Sequence, residues 1–201
     1  MVDAALIQQC ADPGLKPAIV EKFIVSAGSP DPLAVTVRSG GRVVLIPRPG
    51  TGEEAMALVR QHVGKAVVRV GVTQYPAGVG ITDVSELKPD LVDACANIRM
   101  GTKLFAKVYR IVTKWYGNAV DEAFDDAIEA WKTGSFEGKA IFSEPDPGDV
   151  KLAVPAPAEA DRSEAGPTEA AGPVRPEPVD PNKAGIRIDL SGIGGSRPKS
   201  D

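Results

Sequence analysis

A change of composition near residue 145 limits what this chain can fold into. Residues 145–184 hold nine prolines, three glycines and eight alanines, and no aromatic residue. Such a stretch buries too little apolar surface to offset the entropy of ordering it, and its prolines favour an extended chain. It reads as a disordered Pro/Ala-rich acidic linker. Residues 1–144 are left to build a globular domain, and residues 185–201 form a short segment at the far end of the tether. A domain of that size buries about two-thirds of the surface its unfolded chain exposes, enough for a core without metal or disulfide.

The break also decides where the charge lies. The net charge of the chain is −4, and residues 145–184 alone carry eight acidic against four basic side chains. Residues 1–144 carry 16 basic and 17 acidic residues, so the folded part is close to neutral. Overall charge therefore points neither to nucleic acid nor to a membrane surface. No run approaches the roughly 20 apolar residues of a membrane-spanning helix. The first residues, Met1-Val2-Asp3-Ala4-Ala5, have neither a basic nor an apolar region of a secretory signal. These features predict a cytoplasmic protein.

Periodicity gives the order of elements as ααββαβααβ, an α+β fold with a small, mainly antiparallel sheet packed against several helices. Asp3 caps a first short helix, and Pro17 opens a second whose face is Ile19, Val20, Phe23 and Ile24. Two β-rich runs, 34–38 and 42–47, join through Ser39-Gly40-Gly41 as a hairpin. Thr51 and Glu54 form a capping-box pattern before a third helix. Residues 66–72 read as a buried strand and residues 74–80 as a loop. The clearest segment is one long amphipathic helix over 89–116, with Leu91, Cys95, Ile98, Phe105, Tyr109, Val112 and Tyr116 on its apolar stripe. A further helix over 119–132 carries Val120, Phe124, Ala127, Ile128 and Trp131 inward, and residues 139–143 read as a last short strand.

Opposite that stripe, Arg99, Lys103, Lys107, Arg110 and Lys114 recur at spacings of four, four, three and four. At 3.6 residues per turn they share an arc of about 80°. Cations in such a row can track a phosphate backbone, which makes them a candidate nucleic-acid contact. The plainer reading is a solvated face, screened by Asp121, Glu122, Asp125, Asp126 and Glu129 if the two helices form an antiparallel hairpin. An acidic partner protein is the third option.

The catalytic inventory is thin. His62 is the only histidine. Cys10 and Cys95 are too few for a disulfide scaffold and too far apart in sequence for a metal knuckle, and Cys95 on a core face reads as a small apolar filler. A Cys–His pair would need a meeting in space and an orienting third group. Gly78-Val79-Gly80 lacks the Lys-Ser/Thr of a phosphate loop and the third glycine of a dinucleotide fingerprint, and Gly192-Ile193-Gly194-Gly195 has no helix after it. The chain is therefore expected to be no enzyme, with no catalytic residues, no metal site, no cofactor and no small-molecule ligand.

Beyond the linker, Ile186, Ile188 and Leu190 alternate with Arg187, Asp189 and Ser191, the period of a strand with one buried face. Residues 186–190 on a flexible tether read as a recruitment motif that adds to an exposed sheet edge, in cis or on another protein.

Several runs carry a family resemblance: MVDAALIQQCADP at 1–13, LKPAIVE at 15–21, PLAVTV at 32–37, VGVTQYPAG at 70–78 and LKPDLVDAC at 87–95. Together they resemble the TraH-type conjugal transfer proteins of agrobacterial and rhizobial plasmids, over most of residues 1–143. The resemblance implies a role in plasmid conjugation beside DNA-processing and mating-pair proteins, and it supplies neither a reaction nor site residues. Two expectations follow. The first is an accessory acting through protein–protein contact with a partner in the conjugation machinery. The second is a nucleic-acid-binding accessory of DNA processing that uses the basic helix face.

Overall fold

The computed structural model describes residues 3–154. The linker beyond 154 and the motif at 186–190 lie outside the described residues.

The chain begins with α1 (Ala4–Cys10) and α2 (Pro17–Ala27). Asp3 accepts a hydrogen bond from Ala5 N and caps α1, and proline opens α2, where a missing N–H costs nothing. The hairpin follows as β1 (Val35–Ser39) and β2 (Arg42–Val44). Its two-residue turn holds Gly40 and Gly41 at φ 56° and 77°, the conformation that twists with the strands and that other residues resist. In α3 (Gly52–His62), Thr51 Oγ1 accepts from Glu54 N at 3.2 Å, as the capping pattern predicts. Next come β3 (Val67–Val70) and β4 (Tyr75–Pro76), the latter inside the segment read as a loop.

The long helix is interrupted. Residues Pro89–Leu91 form a 3-10 turn, and α4 (Ala94–Tyr116) starts afresh with Asp93 as its cap, accepting from Ala96 N at 2.8 Å. The expected single helix over 89–116 is thus a turn followed by a helix of 23 residues. Gly117 ends α4 in the left-handed conformation at φ 79°. Then come α5 (Glu122–Thr133) and a small separate hairpin of β5 (Ser135–Phe136) and β6 (Lys139–Ala140).

The main sheet is antiparallel throughout, in the order β2-β1-β3-β4. The fold is α+β, as expected. Register pairs Val37 with Val44 and Val68, and Val35 with Val70, so these valines share one face. They meet Met56 and Val59 of α3 together with Leu87 and Leu91. A second cluster joins α1, α2, α4 and α5 around aromatic rings. Phe23 stacks on Phe105 with centroids 4.0 Å apart, and Trp131 meets both edge-on. These four helices thus form a bundle beside the sheet, and the sheet's other face is covered at Arg69 by the end of α5 and open beyond it.

Candidate functional site

The basic row of α4 is where periodicity placed it, but its screen comes from elsewhere. Among the described residues no ion pair joins it to the acids of α5. Residues 141–154 run across α4 as a strap: Lys107 Nζ donates to Phe142 O at 2.9 Å, and Arg110 makes a two-pronged contact with Asp146. The Arg110 guanidinium holds the Asp146 carboxyl below its ordinary range, and the same contact raises Arg110. Further along, Leu152 packs against the helical core and Tyr109 Oη donates to Ala153 O at 2.8 Å. Burial, helped by the charges of Asp121 and Asp125, pushes the Tyr109 phenol up to about 12. Residues 145–154, assigned to the linker by composition, are therefore packed on α4. Arg99, Lys103 and Lys114 remain exposed.

A buried polar network that periodicity missed ties the helices to the sheet. Asn97 Nδ2 donates to Val70 O and Leu91 O at 3.0 and 2.8 Å, and its Oδ1 accepts from Thr73 N and Thr73 Oγ1, both at 2.9 Å. Trp131 Nε1 donates to Thr73 O. The approach is so close that a Cβ on Gly71 would collide with Asn97, and one on Gly101 with Thr73. Arg69 extends the network under the sheet. Only 6% exposed, it donates to the carbonyl oxygens of Gln74, Trp131 and Lys132, and lies over the rings of Trp131 and Phe142. Those last two carbonyls belong to the final turn of α5, where the helix dipole favours a cation. Burial, and then the nearby charge of Arg38, push Arg69 down to about 10. Every polar group of Asn97 is satisfied and Arg69 rests on a helix end, so the network positions elements and does not present a reacting group.

Past Arg69 the second face of the sheet opens. Register sets Arg38 between Val43 on β2 and Val67 on β3, all on this face. Val43 is 60% exposed, Val67 52%, and Leu45, two residues beyond Val43, 96%. Next to this row an open cleft of about 630 Å³ is lined by Arg38, Lys65, Val67, Arg69 and Asp83 among others. Asp83 is engaged by Ser85 through its backbone N–H and its hydroxyl.

The remaining candidates do not assemble a reaction centre. His62 ends α3. Cys10 and Cys95 are bonded to each other, with Cα atoms 5.1 Å apart, which corrects the reading of Cys95 as a free apolar filler. The pairing ties α1 to the first turn of α4. A separation of 85 residues hid it from any spacing rule. Among the described residues no group of three or more His, Cys, Asp or Glu side chains is placed to hold a metal ion.

Comparison with known proteins then supplies the family. The family model TraH_2 matches residues 1–195. This chain belongs to the TraH_2 family. It is also 54% identical over 202 residues to "Uncharacterized protein y4dP" of Sinorhizobium fredii (strain NBRC 101917 / NGR234), across 98% of this chain and 100% of that protein. No solved structure matches the chain. The TraH_2 family suggests a role in conjugal transfer, in line with the resemblance in the N-terminal runs.

Proposed function

We propose that this TraH_2 protein is a non-enzymatic cytoplasmic accessory of plasmid conjugal transfer that works by protein–protein contact. The folded part holds one component of the conjugation machinery, and the tethered motif at 186–190 recruits another. The observation that carries the reading is a set of exposed large apolar side chains at the sheet: Val43 on the edge strand β2, Leu45 just past its end and Val67 on β3. Val43 and Val67 flank Arg38 on one face, and exposed apolar side chains gathered in this way support a protein-binding site. Among the described residues no helix is long and apolar enough to cross a membrane.

Mating assays test the reading. Leu45→Asp, and separately deletion of 185–201, are expected to lower transfer at least tenfold with the folded part intact by circular dichroism. Unchanged transfer in both would sink it. The nucleic-acid alternative keeps three exposed cations, Arg99, Lys103 and Lys114, since the strap engages Lys107 and Arg110. It requires DNA affinity that falls steeply with salt and disappears in the Lys103→Glu/Lys114→Glu variant.

A further inference from the structure

The sheet's free edge carries a more specific inference, which rests on the protein-contact reading above. In a two-residue hairpin the pair flanking the turn, Ser39 and Arg42, exchanges the ladder hydrogen bonds, and so does Val37 with Val44. The intervening pair, Arg38 and Val43, does not. The N–H and C=O of Val43 therefore point away from β1, toward the side of β2 that has no neighbouring strand. Leu45 follows just past the end of the strand. Backbone groups that can accept a strand thus lie at the exposed Val43, with the exposed Leu45 two residues further along the chain.

Charge chooses the occupant. Arg38 stands between Val43 and Val67, Arg42 sits at the hairpin tip, and Lys65 lines the adjoining cleft; all three are exposed. Among the described residues the ion pairs are Arg48–Asp31, Arg110–Asp146 and Lys139–Glu144, so none of these three cations has a carboxylate partner. The local field is strong enough that Arg38 helps depress the buried Arg69. A second copy brought edge to edge would set these arginines against their own kind, which guards the strand from self-pairing. An incoming chain of opposite sign has no such barrier.

We propose that the β2 edge is a docking site for an extended acidic segment of a partner protein, with alternating apolar and acidic residues, which adds as a fifth strand. Its apolar side chains lie abreast of Val43, and its carboxylates, on the opposite face of the added strand, lie beside Arg42 at the tip, while Arg38 and Lys65 on the Val43 face add to the positive field that favours an acidic chain. Main-chain hydrogen bonds supply affinity, and the two faces of the added strand supply specificity.

The test uses the full chain and two fluorescein-labelled nonapeptides, one alternating valine with glutamate and one alternating valine with lysine. The acidic peptide is expected to bind at least tenfold more tightly, with amide shifts centred on Arg42, Val43 and Leu45. Val43→Pro removes an N–H that faces the free side and leaves the β1–β2 ladder whole. It should abolish binding, as should Leu45→Asp, and Arg38→Glu/Arg42→Glu should reverse the peptide preference. Equal binding of both peptides, no binding of either up to about 1 mM, or a Leu45-dependent dimer in sedimentation would overturn the proposal. Conjugation keeps the two readings apart: transfer lost in Leu45→Asp without peptide binding removes the strand-addition mode alone. Peptide binding with transfer unaffected by Leu45→Asp removes the role assigned to this face in conjugation.

Discussion

Asn97 uses every hydrogen-bonding position its amide has, two donors and two lone pairs, all inside the protein. Its removal leaves the carbonyl of Leu91 and the N–H of Thr73 without partners in a place water does not reach, and takes from the Val70 carbonyl the second of its two donors. Each such orphan costs about 1–3 kcal/mol, so Asn97→Ala is expected to lose roughly 3 kcal/mol in denaturant unfolding. Asn97→Asp should be worse, because it sets a carboxylate against two carbonyl oxygens. A loss below about 0.5 kcal/mol in either would mean the network relaxes freely around the site. Nothing in the sequence marks this residue. Asn97 sits one position off the apolar stripe, at a place periodicity assigns to the polar side. It is buried because the chain leaving β3 folds over the start of α4, a long-range event that a single-helix pattern cannot record.

At the scale of elements, local signals were legible and partners across space were not. The two glycines of the hairpin, the Thr51 cap and the glycine stops of α4 and α5 each act within a few residues, and each is where the sequence places it. The apolar stripe runs through the break before α4 and hides it; Asp93, three residues before Ala96, is the cap signal that marks it. The screen of the basic row is hidden in the sequence for a related reason. Charge matching favoured the neighbouring helix, while the strap supplies Asp146 from 36 residues away. That contact has a pH signature. Arg110 lowers Asp146 in the folded state, so its stabilisation is present above the ordinary carboxylate value of 3.8 and fades as pH falls through the lower folded value. Asp146 is 40% exposed, so solvent screens the pair and little global stability rides on it. The expected result is local: acidification below about 4 should release residues 145–149 from α4 in amide spectra, and Asp146→Asn should do so at neutral pH. If the strap's resonances ignore both changes, packing of Leu152 and the Tyr109 contact hold it instead.

At the scale of the whole molecule, the Cys10–Cys95 bond is a covalent constraint across 85 residues, joining the first helix to the fourth. A cross-link closing a loop of 85 residues restricts the unfolded chain by about 4–5 kcal/mol in the chain-entropy account, a large share of a domain's total stability. Reduction, or the Cys10→Ser/Cys95→Ser variant, should lower stability by up to that amount. The sheet and α3 lie within that loop but pack in a cluster that includes neither cysteine, so the main β-structure should persist. The same bond bears on where the protein works. Disulfides persist in oxidising compartments and are rare in the cytoplasm, where thiols are kept reduced. A cytoplasmic accessory must therefore carry Cys10 and Cys95 as thiols in the cell, and close them only on exposure to oxidant. Alkylating intact donor cells before lysis reads this directly. The cytoplasmic reading expects both cysteines blocked by the reagent, with the bond appearing only after isolation in air. A protein protected from alkylation in growing cells would instead place its folded part on the oxidising side of the membrane, and its conjugation partner with it.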